Sequence, residues 1–197
     1  VNIRDKWQIK EDVPIFVAAG RLTSQKGFDL LIDAAKLVDS QSKSFHILIA
    51  GTGKDHNQLQ AQIEKNNVSD KIQLIGFQEN LDSIIMAADY VIMPSRQEGM
   101  PNVVMEGMAL GKPVLAANVN GVPELMKHLK TGYIFEPLKV EAIAEAMNYA
   151  IDNHATETAL NWGALAERHV AENFTVESML DKLENYFYQR INASSRK

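Results

Sequence analysis

The sequence predicts an α/β protein, a Rossmann-like, doubly wound parallel sheet of about six strands with helices on both faces. Short apolar runs alternate strictly with longer amphipathic segments along the chain, as in a parallel sheet covered on both sides. Several of these runs close on a glycine, as at Gly20, Gly51 and Gly76, which gathers the connecting loops at the carboxyl edge of the strands, where such sheets bind ligands. The length of 197 residues, 46% of them hydrophobic, is ample for one large domain core.

The elements follow in order. Residues 14–19 form an apolar run ending at Gly20, hence a buried strand. Leu31, Ala34, Ala35 and Val38 recur at helical spacing, so residues 28–38 read as a helix. Residues 45–50 are a second strand, closed by Gly51-Thr52-Gly53, and residues 54–66 a polar helix with Leu59 and Ile63 inward. Residues 72–75 make a third strand, 81–87 a short helix and 90–93 a fourth strand. A helix over 103–110, a strand over 112–117, a short helix over 122–129 and a strand over 132–135 complete the sheet. Helices then fill 140–153, 154–172 and 175–192. Residues 1–12 and 194–197 are expected to be loose.

Composition narrows the function. A net charge of −5 argues against a nucleic-acid surface, and no polybasic patch suggests a membrane. The absence of cysteine suits a reducing, cytoplasmic compartment. No apolar run approaches the roughly 20 residues of a membrane span. The histidines form no His-x-x-x-His pair and no Asp-x-Asp occurs, so no metal site or cofactor is expected. Neither a P-loop nor a Gly-x-Ser-x-Gly elbow is present.

The richest stretch is Pro94-Ser-Arg-Gln-Glu-Gly-Met-Pro-Asn-Val-Val-Met-Glu106. Gly99 and Pro101 make a helix entry, leaving the amides of Asn102 and Val103 open to an anion, which the helix dipole also favours. Glu98 and Glu106 cannot both serve a phosphate; they suit neutral hydroxyls of a ribose or hexose. The alternatives are a turn or capping role for Glu98 and a solvated helix position for Glu106. Earlier, Gly20-Arg21 and Lys26-Gly27 frame a loop whose two cations would grip a diphosphate or else remain solvated surface charges. Gly51-Thr52-Gly53 lacks the third glycine of the dinucleotide fingerprint and follows the second strand, so it reads as backbone lining the ligand edge.

Taken together, these motifs resemble the C-terminal, donor-binding half of the family 4 retaining glycosyltransferases, which have the GT-B fold (glycosyl transferase group 1). The carrying residues are Gly20-Arg21-Leu22 with Lys26-Gly27, Gly51-Thr-Gly53, Ile75-Gly76-Phe77, Pro94-Ser95 with Glu98-Gly99, and Glu106-Gly-Met-Ala109. Gly111-Lys-Pro-Val114, Gly121-Val-Pro-Glu124 and Thr131-Gly132 continue the match. The resemblance implies that Arg21 and Lys26 hold the donor diphosphate and that Glu98 and the amides around Met100–Asn102 address the donor sugar. It places Glu106 on the ribose and Phe77 and Gln78, largely through backbone, at the base; Gly20, Gly51, Gly99, Pro101 and Val103 complete the donor site. Gly107 departs from the more usual alanine, at a cost of roughly 1 kcal/mol in a helix interior.

The resemblance also implies a division of the chain. Residues 1–12 would be a residual interdomain segment, 13–172 the nucleotide-sugar domain, and 173–197 a helix and tail crossing back to an N-terminal domain that holds the acceptor sugar or glycolipid. Any contact with a membrane would belong to that missing half. The Val1 start and one-domain length fit half of an enzyme, a hexosyltransferase inactive as this fragment, and the family suggests a role in cell-envelope polysaccharide assembly. For Phe174, Leu180, Leu183, Tyr186 and Phe187, ordinary packing on their own sheet is the alternative to crossing. For the function, the alternatives are a sugar-nucleotide epimerase of the same architecture and a non-catalytic nucleotide-sugar module.

Overall fold

The computed structural model describes residues 3–194. Its sheet runs β3-β2-β1-β4-β5-β6 with all neighbours parallel, the strands being β1 (Ile15–Ala19), β2 (His46–Ala50), β3 (Ile72–Gly76), β4 (Tyr90–Met93), β5 (Val114–Ala117) and β6 (Gly132–Phe135). The helices are α1 (Ile3–Lys6), α2 (Phe28–Asp39), α3 (His56–Lys65), α4 (Leu81–Ala87), α5 (Asn102–Ala109), α6 (Val122–Leu125), α7 (Val140–Asp152), α8 (Glu157–Asn173) and α9 (Val176–Ser194). The doubly wound sheet expected from the alternation is therefore present. No helix among the described residues is long and apolar enough to cross a membrane.

Each strand feeds two cores, because successive side chains point to opposite faces. Phe16 and Ala18 of β1 join Leu31, Ala35, Leu59 and Ile143 under α2, α3 and α7. Ile15 and Val17 join Ile84, Val104, Leu125 and Ala166 under α4, α5, α6 and α8. Both faces of β1 and β4 are thus dry, which explains runs without polar alternation. At the centre Phe16 pairs in register with Ile47 and Tyr90. The Phe16 and Tyr90 rings stack at 5.1 Å, and the Tyr90 hydroxyl donates to the Ala150 carbonyl at 2.8 Å, so the buried phenol is satisfied.

Two expectations need revision. Residues 3–9 are not loose: Ile3 and Ile9 are buried in the core, and Arg4 donates to Asp89 and to the carbonyls of Lys10 and Val13. Asp89 also accepts from the amide of Ile15, so one carboxylate fastens the N-terminal segment to the start of β1. At the other end, Ser194 closes α9; the remaining tail expected to be loose lies outside the described residues. In α9 itself Leu180, Leu183, Tyr186 and Phe187 are each at least 43% exposed, so they do not pack on the sheet. Phe174, just before the helix, does join the core under α8.

Gly107 also gains a reason. A Cβ there would lie 2.8 Å from Cγ2 of Val91 and 3.3 Å from that of Val114. The glycine lets α5 lie closer to β4 and β5 than alanine would, which fixes the height of the helix start over the sheet edge.

His46, at the head of β2, is buried, and its Nε2 has no hydrogen-bond partner among the described residues. Burial, and secondarily Lys71, push its pKa down to about 4, against a small opposing effect of Asp70. The folded state therefore holds the ring neutral while the unfolded chain takes up a proton near pH 6.5. Stability is full above that pH and is lost as pH falls towards the folded value. Urea unfolding should show this group alone costing about 2 kcal/mol between pH 7 and pH 5, and His46→Phe should flatten that part of the profile. An equal loss in both proteins would assign the acid sensitivity elsewhere.

Candidate nucleotide-sugar site

The sheet order places a topological switch between β1 and β4: the chain winds outward through β2 and β3, then returns to the other side of β1. A crevice forms outside the carboxyl ends of the strands at such a point. Here it is bordered by the loop after β1 and the loop after β4, the two loops singled out from the sequence.

Two adjoining hollows occupy this edge. The first, of about 300 Å³, is lined by Gly20, Arg21, Gly51, Thr52, Phe77 and Gln78 among others. The second, of about 250 Å³, is lined by Lys26, Glu98, Met100, Pro101, Asn102, Val103 and Glu106. Ala19, Gly20 and Leu81 line both, so the hollows meet over the end of β1. Of the residues expected at the site, Gly99 alone lines neither. Its carbonyl instead sits against Gly121, where a Cβ would come within 2.2 Å of it.

Lys26 and Glu98 meet across the crevice, Nζ to Oε1 at 2.6 Å, with the Glu98 side chain only 9% exposed. The stem of Lys26 lies over Gly20, whose missing side chain leaves it room. Ser95, buried in the loop just after β4, donates its hydroxyl to the same Glu98 oxygen at 2.7 Å. Arg21 stands exposed, and its side chain makes no hydrogen bond or ion pair among the described residues. The amides of Asn102 and Val103 at the start of α5 likewise donate to no acceptor among the described residues, whereas those of Val104 and Met105 reach the Pro101 carbonyl. Open amides, a helix N-terminus and two cations offer donors to an anion, beside two carboxylates that can accept from hydroxyls.

Glu106 sits one turn into α5. Its carboxyl is held above the usual range by burial and, secondarily, by the nearby charge of Asp82. The Gln78 side chain donates to the carbonyl of Ile75, turning back onto its own strand and leaving backbone and the exposed Phe77 ring to border the first hollow.

Sequence reading missed how the two loops are tied together. Arg96 grips Asp29 of α2 with two hydrogen bonds of 2.7 and 2.6 Å and reaches the Ser24 carbonyl at 2.6 Å. Its amide donates to the Gln25 carbonyl, and the Gln25 side chain donates to that of Gln97. Burial raises the Asp29 pKa, but the hydrogen bonds and charge of Arg96 outweigh it and hold the carboxyl below its usual range. Arg96 stood inside the motif already quoted, yet an arginine there has the same local signature whether it binds solvent or a helix dozens of residues away.

Comparison with known proteins identifies the family and the fold. The family model "Glycosyl transferases group 1" matches residues 2–169. The alpha-D-kanosaminyltransferase of Streptomyces kanamyceticus is 29% identical over 154 residues, 77% of this chain and 40% of that protein. The crystal structure of Anabaena Alr3699/HepE in complex with UDP-glucose superposes with a TM-score of 0.84 at 22% identity, over 95% of this chain and 51% of that one. The C-terminal domain of a glycosyl transferase group 1 family protein (LpcC) from Francisella tularensis has a TM-score of 0.74 at 21% identity, over 88% of this chain and 93% of that one. The chain thus spans less than half the length of curated relatives such as the kanosaminyltransferase, and nearly all of an isolated C-terminal domain. It belongs to the group 1 (family 4) glycosyl transferases and corresponds to the C-terminal domain of their GT-B fold.

Proposed function

We propose that the crevice at the β1/β4 switch binds a nucleoside diphosphate sugar, and that the whole enzyme transfers its hexosyl group, with retention, to an acceptor held by a further domain. The observation that carries this reading is the convergence of Lys26, Glu98, Glu106 and the open α5 amides on one hollow, with Arg21 at its border. The diphosphate lies between Arg21, Lys26 and the start of α5, which offset its charge as it leaves. Lys26 has three donors and gives one to Glu98, so two remain for phosphate oxygens. The same contact separates the Glu98 carboxylate from the phosphates and lets it accept from a sugar hydroxyl. Glu106 takes the ribose, and the base rests in the first hollow against Gly51, Phe77 and Gln78. An epimerase would want further acid/base groups, and no histidine lines either hollow.

Residues 13–172 are assigned to donor binding, and 173–197 to a helix and tail returning to the acceptor domain; the exposed apolar side chains of α9 support this division. A cytoplasmic enzyme of cell-envelope polysaccharide assembly, whose donor half is inactive alone, is the setting that fits. Titration of the protein with UDP, GDP and their sugars by calorimetry should show binding to one nucleotide series. A folded sample indifferent to all of them would refute the donor site. Arg21→Ala should weaken the interaction about tenfold, the worth of a charge-assisted contact.

The pH dependence carries its own signature. Glu106 must be ionised to accept from both ribose hydroxyls, and its raised pKa means that it protonates earlier than an ordinary glutamate as pH falls. Affinity should therefore decline with acidification beginning above the usual carboxylate range, and Glu106→Gln should bind more weakly at neutral pH and lose that dependence. A Glu106→Gln protein with the same profile would remove Glu106 from the ribose.

A further inference from the structure

Glu98 carries an asymmetry that its place in the crevice does not require. Both hydrogen bonds to its carboxylate fall on Oε1, one from Lys26 at 2.6 Å and one from Ser95 at 2.7 Å. Oε2 accepts none among the described residues. A carboxylate oxygen has two good acceptor directions, so Oε1 is saturated. The donors come from different loops, Lys26 after β1 and Ser95 after β4, and they hold the group from two sides. The carboxylate plane is thereby fixed, and the oxygen with spare capacity is the one left to the hollow that Glu98 lines.

We infer that Ser95 is a positioning residue for donor-sugar recognition: with Lys26 it saturates one oxygen of Glu98 and aims the other at a hydroxyl of the transferred sugar. This rests on the donor-site reading above. Ser95 is 1% exposed and lines neither hollow, so it acts through Glu98. Lys26 alone would not orient the group, since an ammonium on a four-carbon stem can follow a rotating carboxylate. A hydroxyl on a buried residue just past the end of a central strand has no such freedom. The two donors divide the work: the lysine supplies charge and the serine supplies direction.

The test separates sugar recognition from nucleotide binding. Affinities for UDP and UDP-glucose are measured on the wild type, Ser95→Ala, Glu98→Ala and the double variant; GDP and GDP-mannose replace them if the guanine series binds the wild type more tightly. Ser95→Ala should lower affinity for the sugar nucleotide about tenfold while the diphosphate stays within about twofold. Glu98→Ala should shift the same ratio, and Ser95→Ala should add nothing to it, as expected when one residue works through the other. Ser95→Cys, isosteric with a weaker donor, should fall between serine and alanine, and it provides the measurement if the alanine variant does not fold. A ratio unmoved in the Ser95 variants, whether both affinities hold or both fall, would overturn the assignment, as would additive effects in the double variant. Failure of the wild type to bind any of the four ligands would instead bring down the donor-site reading on which the inference stands.

Discussion

Lys26→Ala is expected to lower kcat/KM of the whole enzyme by about 10²–10³, the effect of removing one preorganised group from a developing negative charge. The loss should lie mainly in kcat, because charge on the diphosphate grows as the sugar leaves and an interaction that strengthens with it acts on the transition state. A second contribution comes from Glu98. Its side chain is 9% exposed and would keep Ser95 as its sole donor, so the loss of Lys26 strands a nearly buried carboxylate, which is costlier than the loss of the pair. Lys26→Arg keeps the charge but replaces a compact ammonium by a planar fork, and it should recover only part of the rate. Steady-state kinetics on a matched donor and acceptor read both effects. A Lys26→Ala enzyme within about threefold of wild type would show that the departing diphosphate is held by other groups.

Gly27→Ala should be strongly destabilising. Gly27 has φ +69°, which a side chain adopts only at a cost of roughly 1 kcal/mol. The added Cβ would also stand 2.1 Å from the Pro94 carbonyl oxygen and 2.9 Å from its carbon. These are backbone atoms at the end of β4, so no rotamer change relieves the contact; one loop must move off the other. A loss of about 3 kcal/mol or more in urea unfolding is expected. The displacement would part Lys26 from Glu98 and Gln25 from Arg96, so nucleotide binding should fail with it. A variant with unchanged stability would mean that the close approach of the two loops is not needed for folding.

The fold was legible because its signals are local. Strands such as residues 15–19 are apolar on both faces, and helices such as α2 carry a stripe at i, i+3, i+4 and i+7 that needs no knowledge of its partner. The order of strands then brought the chosen loops to one edge, and twelve of the thirteen expected site residues line the two hollows. What escaped was the wiring between them. The Asp29–Arg96 clamp spans 67 positions and the Lys26–Glu98 contact 72, and no spacing rule links such pairs. Ser95 escaped for another reason: a serine after a strand reads as turn chemistry, and its hydrogen bond to Glu98 is visible only in three dimensions. Residues 3–9 were misjudged because a short segment with scattered polar residues gives no period, while Ile3, Ile9 and Arg4 are fixed by tertiary contacts.

The stitching of two distant loops has a kinetic meaning. Contacts that close loops of some seventy residues between β1 and β4 pay their chain entropy before returning any enthalpy. The crevice therefore exists only after the central crossover is in place, and a partly folded chain holding β1 to β3 alone contains Arg21 and Lys26 without their counterparts. Nucleotide capture should accordingly emerge in the slowest phase of refolding, after most helical signal has returned, which makes a bound nucleotide a reporter on completion of the sheet.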